Sequence, residues 1–494
     1  MTTVVGPQWS LSGLQVAAGR FPLAVEQHLL RMVALLVPGA TTVTPHGRYY
    51  GLHGLPAVEA ERRKLDPPAA LDLLRRMEVV MGAVSVLHEQ DPAHGSQWPR
   101  PHGADTISPL LRQAGELDLS EVSTPGSGYV KARVGYWGPY IGSEFLLGIT
   151  SSSTTPTPGP RCDAAALRAG LGDLVELAAE DRLDTATLRG ASNLCLCAGG
   201  GAADGAWLRR LLCQPSDDGP EAKADRTRRA TAQLLARTTG SASPDLADSF
   251  TAQLGFGSFL AADPVASALE EAEAWRGVIL RSYSVGAWRR LWAWLVDQVV
   301  ETVSVDELAD TFAAELPDVS VGDFMASLPA TLDAAGDPRP AEDELRAGAR
   351  PVPERELAVL ALGGVRSGQL SGRVGEAFRG RPVELAPEWV SRRFDDGATA
   401  HLRDFGRALV DDLVVRARRI AMSKMVRRPD GTIWLPTRLH EKAGLLWRTS
   451  REGAGDVGLR ITQLGTVLAG AGVFAWDDPA GGWVVTDAGQ ASLA

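Results

Sequence analysis

Cysteine is scarce: Cys162, Cys195, Cys197 and Cys213 are the only four in 494 residues. So few argue against a disulfide framework, and a chain of this length buries a large core without staples. Long apolar runs are missing as well. The most apolar segments, 29–37 and 79–87, are too short to span a bilayer, so no membrane partner is expected. Residues 1–10 lack a basic cluster followed by an apolar run, so no signal peptide is expected, and a reducing cytoplasm is the expected compartment.

Catalytic fingerprints are absent in the same way. There is no GxxxxGKS/T phosphate loop, no GxSxG elbow and no HExxH pair. The Gly-rich stretch 362–372 (LGGVRSGQLSG) does not have the dinucleotide-binding spacing. Glu221-Ala-Lys223 has the letters of a nuclease motif but sits in an acidic loop. No catalytic residue is assigned on these grounds, and no cofactor is expected.

What is present is an ordinary globular composition: 45% hydrophobic and 22% charged residues. Arg far outnumbers Lys and Trp (13) outnumbers Tyr (6), which is the codon signature of a high-GC bacterial genome. The length suggests about three domains. Two breaks rich in Pro and polar residues, 151–160 (SSSTTPTPGP) and 333–353, divide the chain into 1–150, 161–332 and 354–494.

Helical periodicity dominates. Residues 68–88 place Leu71, Leu74, Met77, Val80, Met81 and Val84 three or four apart. Asp163 caps a run carrying Leu167, Leu171, Leu174 and Leu177. Residues 264–302 predict one or two long helices, with Trp288, Trp292 and Leu295 on a core face and Arg289 and Arg290 pointing out. Ser304 and Glu307 form a capping box before 304–316, and 397–425 predicts the longest late helix. The expected fold is mainly α: a multi-domain helical protein ending in a winged-helix-like domain at about 430–494.

That last domain is read from its order of elements. Residues 438–449 predict a helix, 452–455 a turn and 456–470 a second helix; strands at 473–476 and 483–485 would then form the wing. In such folds the second helix enters the major groove, and here it offers Arg460, Thr462, Gln463 and Thr466. The alternative is a winged helix used for protein contact. Charge bears on the choice. Residues 401–460 carry a net +6, which leaves −16 for the rest of the chain. The candidate phosphate contacts are Arg416, Arg418, Arg419, Lys424, Arg427, Arg428, Arg448 and Arg451, with Arg460 and Gln463. A solvated helix end matched to its dipole is the alternative account of the same cations.

Five of the eight histidines lie between 46 and 102. His88, His94 and His102, with Glu89, Asp91 and Asp105 nearby, are candidate metal ligands, but their spacing fits no closed zinc motif. A polar loop after 68–88 is the expectation, with no metal assigned. Cys195 and Cys197 read as buried thiols. Two aromatic and Gly-rich segments, 41–54 (TTVTPHGRYYGLHG) and 135–144 (GYWGPYIGSE), are expected to be ordered loops closing over the core, with aromatic faces that stack bases or hold a ligand as the alternative.

The ending GWVVTDAGQASLA resembles the last strand and helix of bacterial winged-helix proteins. Residues 36–50 (LVPGATTVTPHGRYY) resemble the opening of uncharacterised bacterial proteins of anti-phage defence or restriction islands, over about a tenth of the chain. That resemblance implies a partner of a helicase or ATPase in the same system and carries no catalytic residue. The expected function is a DNA-binding adaptor that contacts double-stranded DNA through its basic C-terminal region. The alternatives are an interaction scaffold for an ATPase or helicase, or a metal-dependent hydrolase or nuclease centred on His88, Asp91, His94 and His102.

Overall fold

The computed structural model describes residues 21–91, 97–130, 133–215, 221–428 and 430–494. It is mainly helical, with 60% helix and 7% strand. No described helix is long and apolar enough to cross a membrane. The strands described are β1 (Glu116–Asp118), β2 (Arg182–Asp184), β3 (Val303–Ser304), β4 (Val426–Arg427), β5 (Ile433–Trp434), β6 (Leu439–Lys442), β7 (Leu445–Arg448), β8 (Phe474–Asp477) and β9 (Gly482–Val485). They pair antiparallel as β1-β2, β3-β7-β6, β4-β5 and β8-β9.

The chain forms two compact units, neither of them one continuous stretch. One gathers Ala34–Phe250 with Arg460–Ala494; the other gathers 21–33 with Thr251–Leu459. The expected break at 151–160 falls inside the first unit, and that at 333–353 inside the second. The second break is packed rather than open. Its Ala341–Ala347 helix buries Glu342 against Arg366 at 2.7 Å, and Arg366 also donates to the carbonyls of Thr331 and Arg339.

In the first unit the Gly47–Arg63 helix is central and almost wholly buried. The Pro67–His88 helix follows it, started by Asp66, whose carboxylate accepts from the amide of Ala69, with proline in the first turn. The Ile461–Gly470 helix packs across the start of Gly47–Arg63. At Gly47 a Cβ would lie 2.6 Å from the carbonyl oxygen of Val467, so only glycine permits this approach. Segments 41–54 and 135–144, expected as loops, instead supply the Gly47–Arg63 and Trp137–Leu147 helices. Their aromatic rings give each helix a buried face: Tyr49 stacks on Tyr140 at 5.6 Å.

The second unit is built on the 29-residue Glu270–Gln298 helix, which packs against the Val352–Gln369 and Gly372–Arg379 helices. Trp288, Trp292 and Leu295 are buried, as their spacing requires. Arg289 and Arg290 do not point freely outward. Arg290 is held by Glu356 and Asp456, and Arg289 lies 3.5 Å from Glu26. The capping box at Ser304 is present: its hydroxyl accepts from the Glu307 amide at 3.1 Å, and Glu307 accepts from the Ser304 amide at 2.7 Å. The expected 397–425 helix spans Leu402–Ser423, started by His401.

The expected helix at 438–449 is a β6-β7 hairpin. Ala443 (φ 54°) and Gly444 (φ 78°) form its two-residue loop, the conformation that tight hairpins need. Leu446 is buried and pairs with Val303 of β3. The helix read at 456–470 begins at Ile461, and β8 and β9 follow as expected.

Candidate nucleic-acid interface

The Leu402–Ser423 helix buries Leu402, Phe405, Leu409, Val410, Leu413, Val414 and Ala417, largely against the Val305–Ala314 helix. β3 runs directly into Val305–Ala314, and β6 and β7 follow the end of Leu402–Ser423. Five described helices lie between Val305–Ala314 and Leu402–Ser423 in the chain, and β4 and β5 lie between Leu402–Ser423 and β6; in the sheet, β7 lies between β3 and β6.

Leu402–Ser423 carries three of the expected cations, Arg416, Arg418 and Arg419, and others lie just beyond its end, but many are already engaged. Arg416 and Arg419 both reach Glu384 at 2.7 Å, and Arg416 donates to the Leu23 carbonyl. Arg418 donates to both oxygens of Glu441 on β6, at 3.1 and 3.0 Å. Lys424 donates to the Phe21 carbonyl at 2.9 Å, and burial holds its pKa below the usual lysine value. Arg448 pairs with Asp297 at 2.8 Å, with Arg451 at 3.7 Å from the same carboxylate. Engagement does not bury them all. The side chains of Arg418, Arg419 and Arg451 remain 52%, 61% and 79% exposed. Arg427 and Arg428 are exposed on the β4-β5 hairpin, where Arg428 lies over the Trp434 ring at 5.8 Å.

Apolar side chains share this surface. Val415 and Met422 flank Arg418 and Arg419 on the helix, and Met425, Val426 and Ile433 continue outward exposed. The composition is mixed: Asp404 and Asp411 are also exposed on this helix.

Arg460 and Gln463 lie elsewhere, in the first unit. Arg460 donates to the Ala40 carbonyl, and burial lowers its pKa. Gln463 is half-buried at the start of Ile461–Gly470, whose Leu464, Val467 and Leu468 are core residues. The helix expected to read a groove therefore packs into the first unit's core along one side, and Thr466 bonds the Pro45 carbonyl.

The metal candidates separate. His94 lies outside the described residues. His102 is an aromatic packing residue, stacked on Tyr136 at 4.7 Å and edge-on to His46, and burial together with His53 lowers its pKa to about 4. His88 instead meets Cys197 and Cys195.

A buried cluster that sequence spacing did not reveal lies beside His102. His53 bridges two glutamates, Glu144 at 2.6 Å and Glu78 at 3.2 Å. Burial pulls its pKa down, but the two carboxylates outweigh that and raise it to about 9. Burial raises the pKa of Glu144. The remaining carboxylate oxygens accept from Trp137 Nε1 (2.8 Å) and the Tyr136 amide (3.0 Å). With every oxygen taken by a protein donor, this cluster ties three helices together.

No family model matches the chain, and neither the curated proteins nor the solved structures give a match.

Proposed function

We propose that this protein is an accessory subunit of a bacterial multi-protein system that contacts duplex DNA through a winged-helix-like module in its second unit. The module comprises β3, Val305–Ala314, Leu402–Ser423 and the β6-β7 hairpin, a different set of residues from the 430–494 expected. The observation that carries the reading is the β3-β7-β6 strand order with Leu402–Ser423 packed on Val305–Ala314, and Arg418, Arg419, Arg427 and Arg428 at one end of that helix. In this arrangement Leu402–Ser423 takes the place of a groove-facing helix. An anti-phage role, with a helicase or ATPase partner, rests on the resemblance of residues 36–50 alone.

The test is a fluorescence-anisotropy titration of a labelled duplex. Four phosphate contacts give a log–log salt slope of about −3.6, or about 100-fold weaker binding at ~200 mM than at ~50 mM salt. Arg427→Glu with Arg428→Glu should halve that slope. Absence of binding at ~50 mM salt sinks the reading. A second reading, a scaffold for a protein partner, is favoured by the exposed Val415, Met422, Met425, Val426 and Ile433 beside the same cations.

A further inference from the structure

We propose that His88, Cys195 and Cys197 form a binding site for one zinc ion in the first unit. His88 is the last residue of Pro67–His88. Cys195 lies between two short 3-10 helices, Ser192–Leu194 and Leu196–Gly201, and Cys197 is inside the second. Although 109 residues separate His88 from Cys197, its Nδ1 lies 3.4 Å from the Cys197 sulfur, and the Cys197 and Cys195 sulfurs are 3.4 Å apart. The three donor atoms all fall within 4.8 Å of one another.

Those separations suit an ion placed between the donors. Zinc–sulfur bonds of about 2.3 Å and zinc–nitrogen bonds of about 2.0 Å, at tetrahedral angles, put ligand atoms about 3.5–3.8 Å apart. The two 3.4 Å separations need changes of only a few tenths of an ångström, and the His88–Cys195 pair, within 4.8 Å, closes by up to about 1.3 Å. One imidazole with two thiolates is a soft donor set that selects zinc over magnesium or calcium. Cys195 is buried, whereas His88 and Cys197 are half-buried, and a water would complete the tetrahedral set.

The loop is held at this helix independently of any ion. The Leu196 amide donates to Ser85 Oγ, one turn before His88 on the same helix. Arg48 donates to the carbonyls of Asn193 and Cys195, both at 2.6 Å. Arg48 is itself anchored by Asp204 at 3.0 Å. Its positive charge favours the Cys197 thiolate, opposing the neighbouring Cys195 thiol and burial, which together push the Cys197 pKa up. Zinc binding therefore displaces two thiol protons: each Cys–S–H bond becomes Cys–S–Zn, and the protons pass to solvent. Where both thiols are protonated, affinity then falls about 100-fold per unit drop in pH.

The experiment is a cobalt titration of the intact reduced protein, followed by zinc competition and metal analysis. One cobalt per chain is expected, with thiolate-to-cobalt absorption that zinc abolishes. Zinc should also protect two of the four thiols from a chromogenic disulfide reagent. Cys195→Ser with Cys197→Ser should remove the absorption, and His88→Gln should weaken binding at least 10-fold, with helical circular dichroism unchanged. If those variants unfold, the wild-type cobalt spectrum and thiol protection decide alone. No thiolate absorption in the wild type, or cobalt retained by the folded double-serine variant, overturns the site.

Discussion

Replacing His53 by leucine should destabilise the first unit by about 3–5 kcal/mol, the range for removing one partner from a buried ion pair. His53 is fully buried and is the group that bridges Glu78 and Glu144. Without it the two carboxylates face each other, each left with one of its oxygens unbonded. A loss of this size is a large fraction of the 5–15 kcal/mol that typically separates folded from unfolded domains. Hydrogen exchange of the amides in Gly47–Arg63 reads the change in this unit separately from the other. The triple variant His53→Leu, Glu78→Gln, Glu144→Gln should recover part of the loss, because its buried groups are neutral. A pH signature accompanies the effect. The folded pKa of His53 is raised from 6.5 to about 9. Its stabilising contribution is therefore fully present below pH 6.5 and is lost as pH rises through about 9. Wild-type protection should fall across that window, and the leucine variant should lack that component. A loss under about 1 kcal/mol, or identical pH profiles, would refute the reasoning.

Further predictions concern packing and capping. Gly47→Ala drives a methyl group into the Val467 carbonyl and should cost about 1–3 kcal/mol by urea denaturation; an unchanged midpoint would contradict the close crossing. Glu342→Ala strands the buried Arg366 guanidinium and should cost about 3–5 kcal/mol, read as faster exchange in Val352–Gln369. Wild-type exchange rates there would show that the segment is loosely held. Ser304→Ala removes the capping box and should cost about 1 kcal/mol, seen as a lower Tm.

The parts of the fold legible in the sequence were those set by neighbours in the chain. Ser304 and Glu307 are three residues apart, and Trp288, Trp292 and Leu295 share a helical stripe, so local spacing sufficed. Residues 438–449 misled because LHEKAGLLWR permits a helix by apolar spacing. Ala443-Gly444 favours a turn, and β7 then finds its partner in Val303, far away in the chain. The candidate site shows the same division. The cations of 416–428 were visible as charge, but Glu384 and Glu441, which engage three of them, were not. His88 and the Cys195/Cys197 pair each stand out in the sequence, and only folding brings them together.

The discontinuity of the first unit has a consequence for synthesis. Ile461–Gly470, which covers the Gly47 end of the central helix, emerges from the ribosome only after all of Thr251–Leu459. At about 5–20 residues per second, roughly 200 intervening residues impose a wait of about 10–40 s. During that wait the face of Gly47–Arg63 that packs against Ile461–Gly470 is uncovered on a nascent chain. The second unit's own core is being made in the same interval. A chaperone that shields apolar surface on ribosome-bound chains would therefore set the yield of the native protein, and slowing translation within 251–459 would lengthen the exposure.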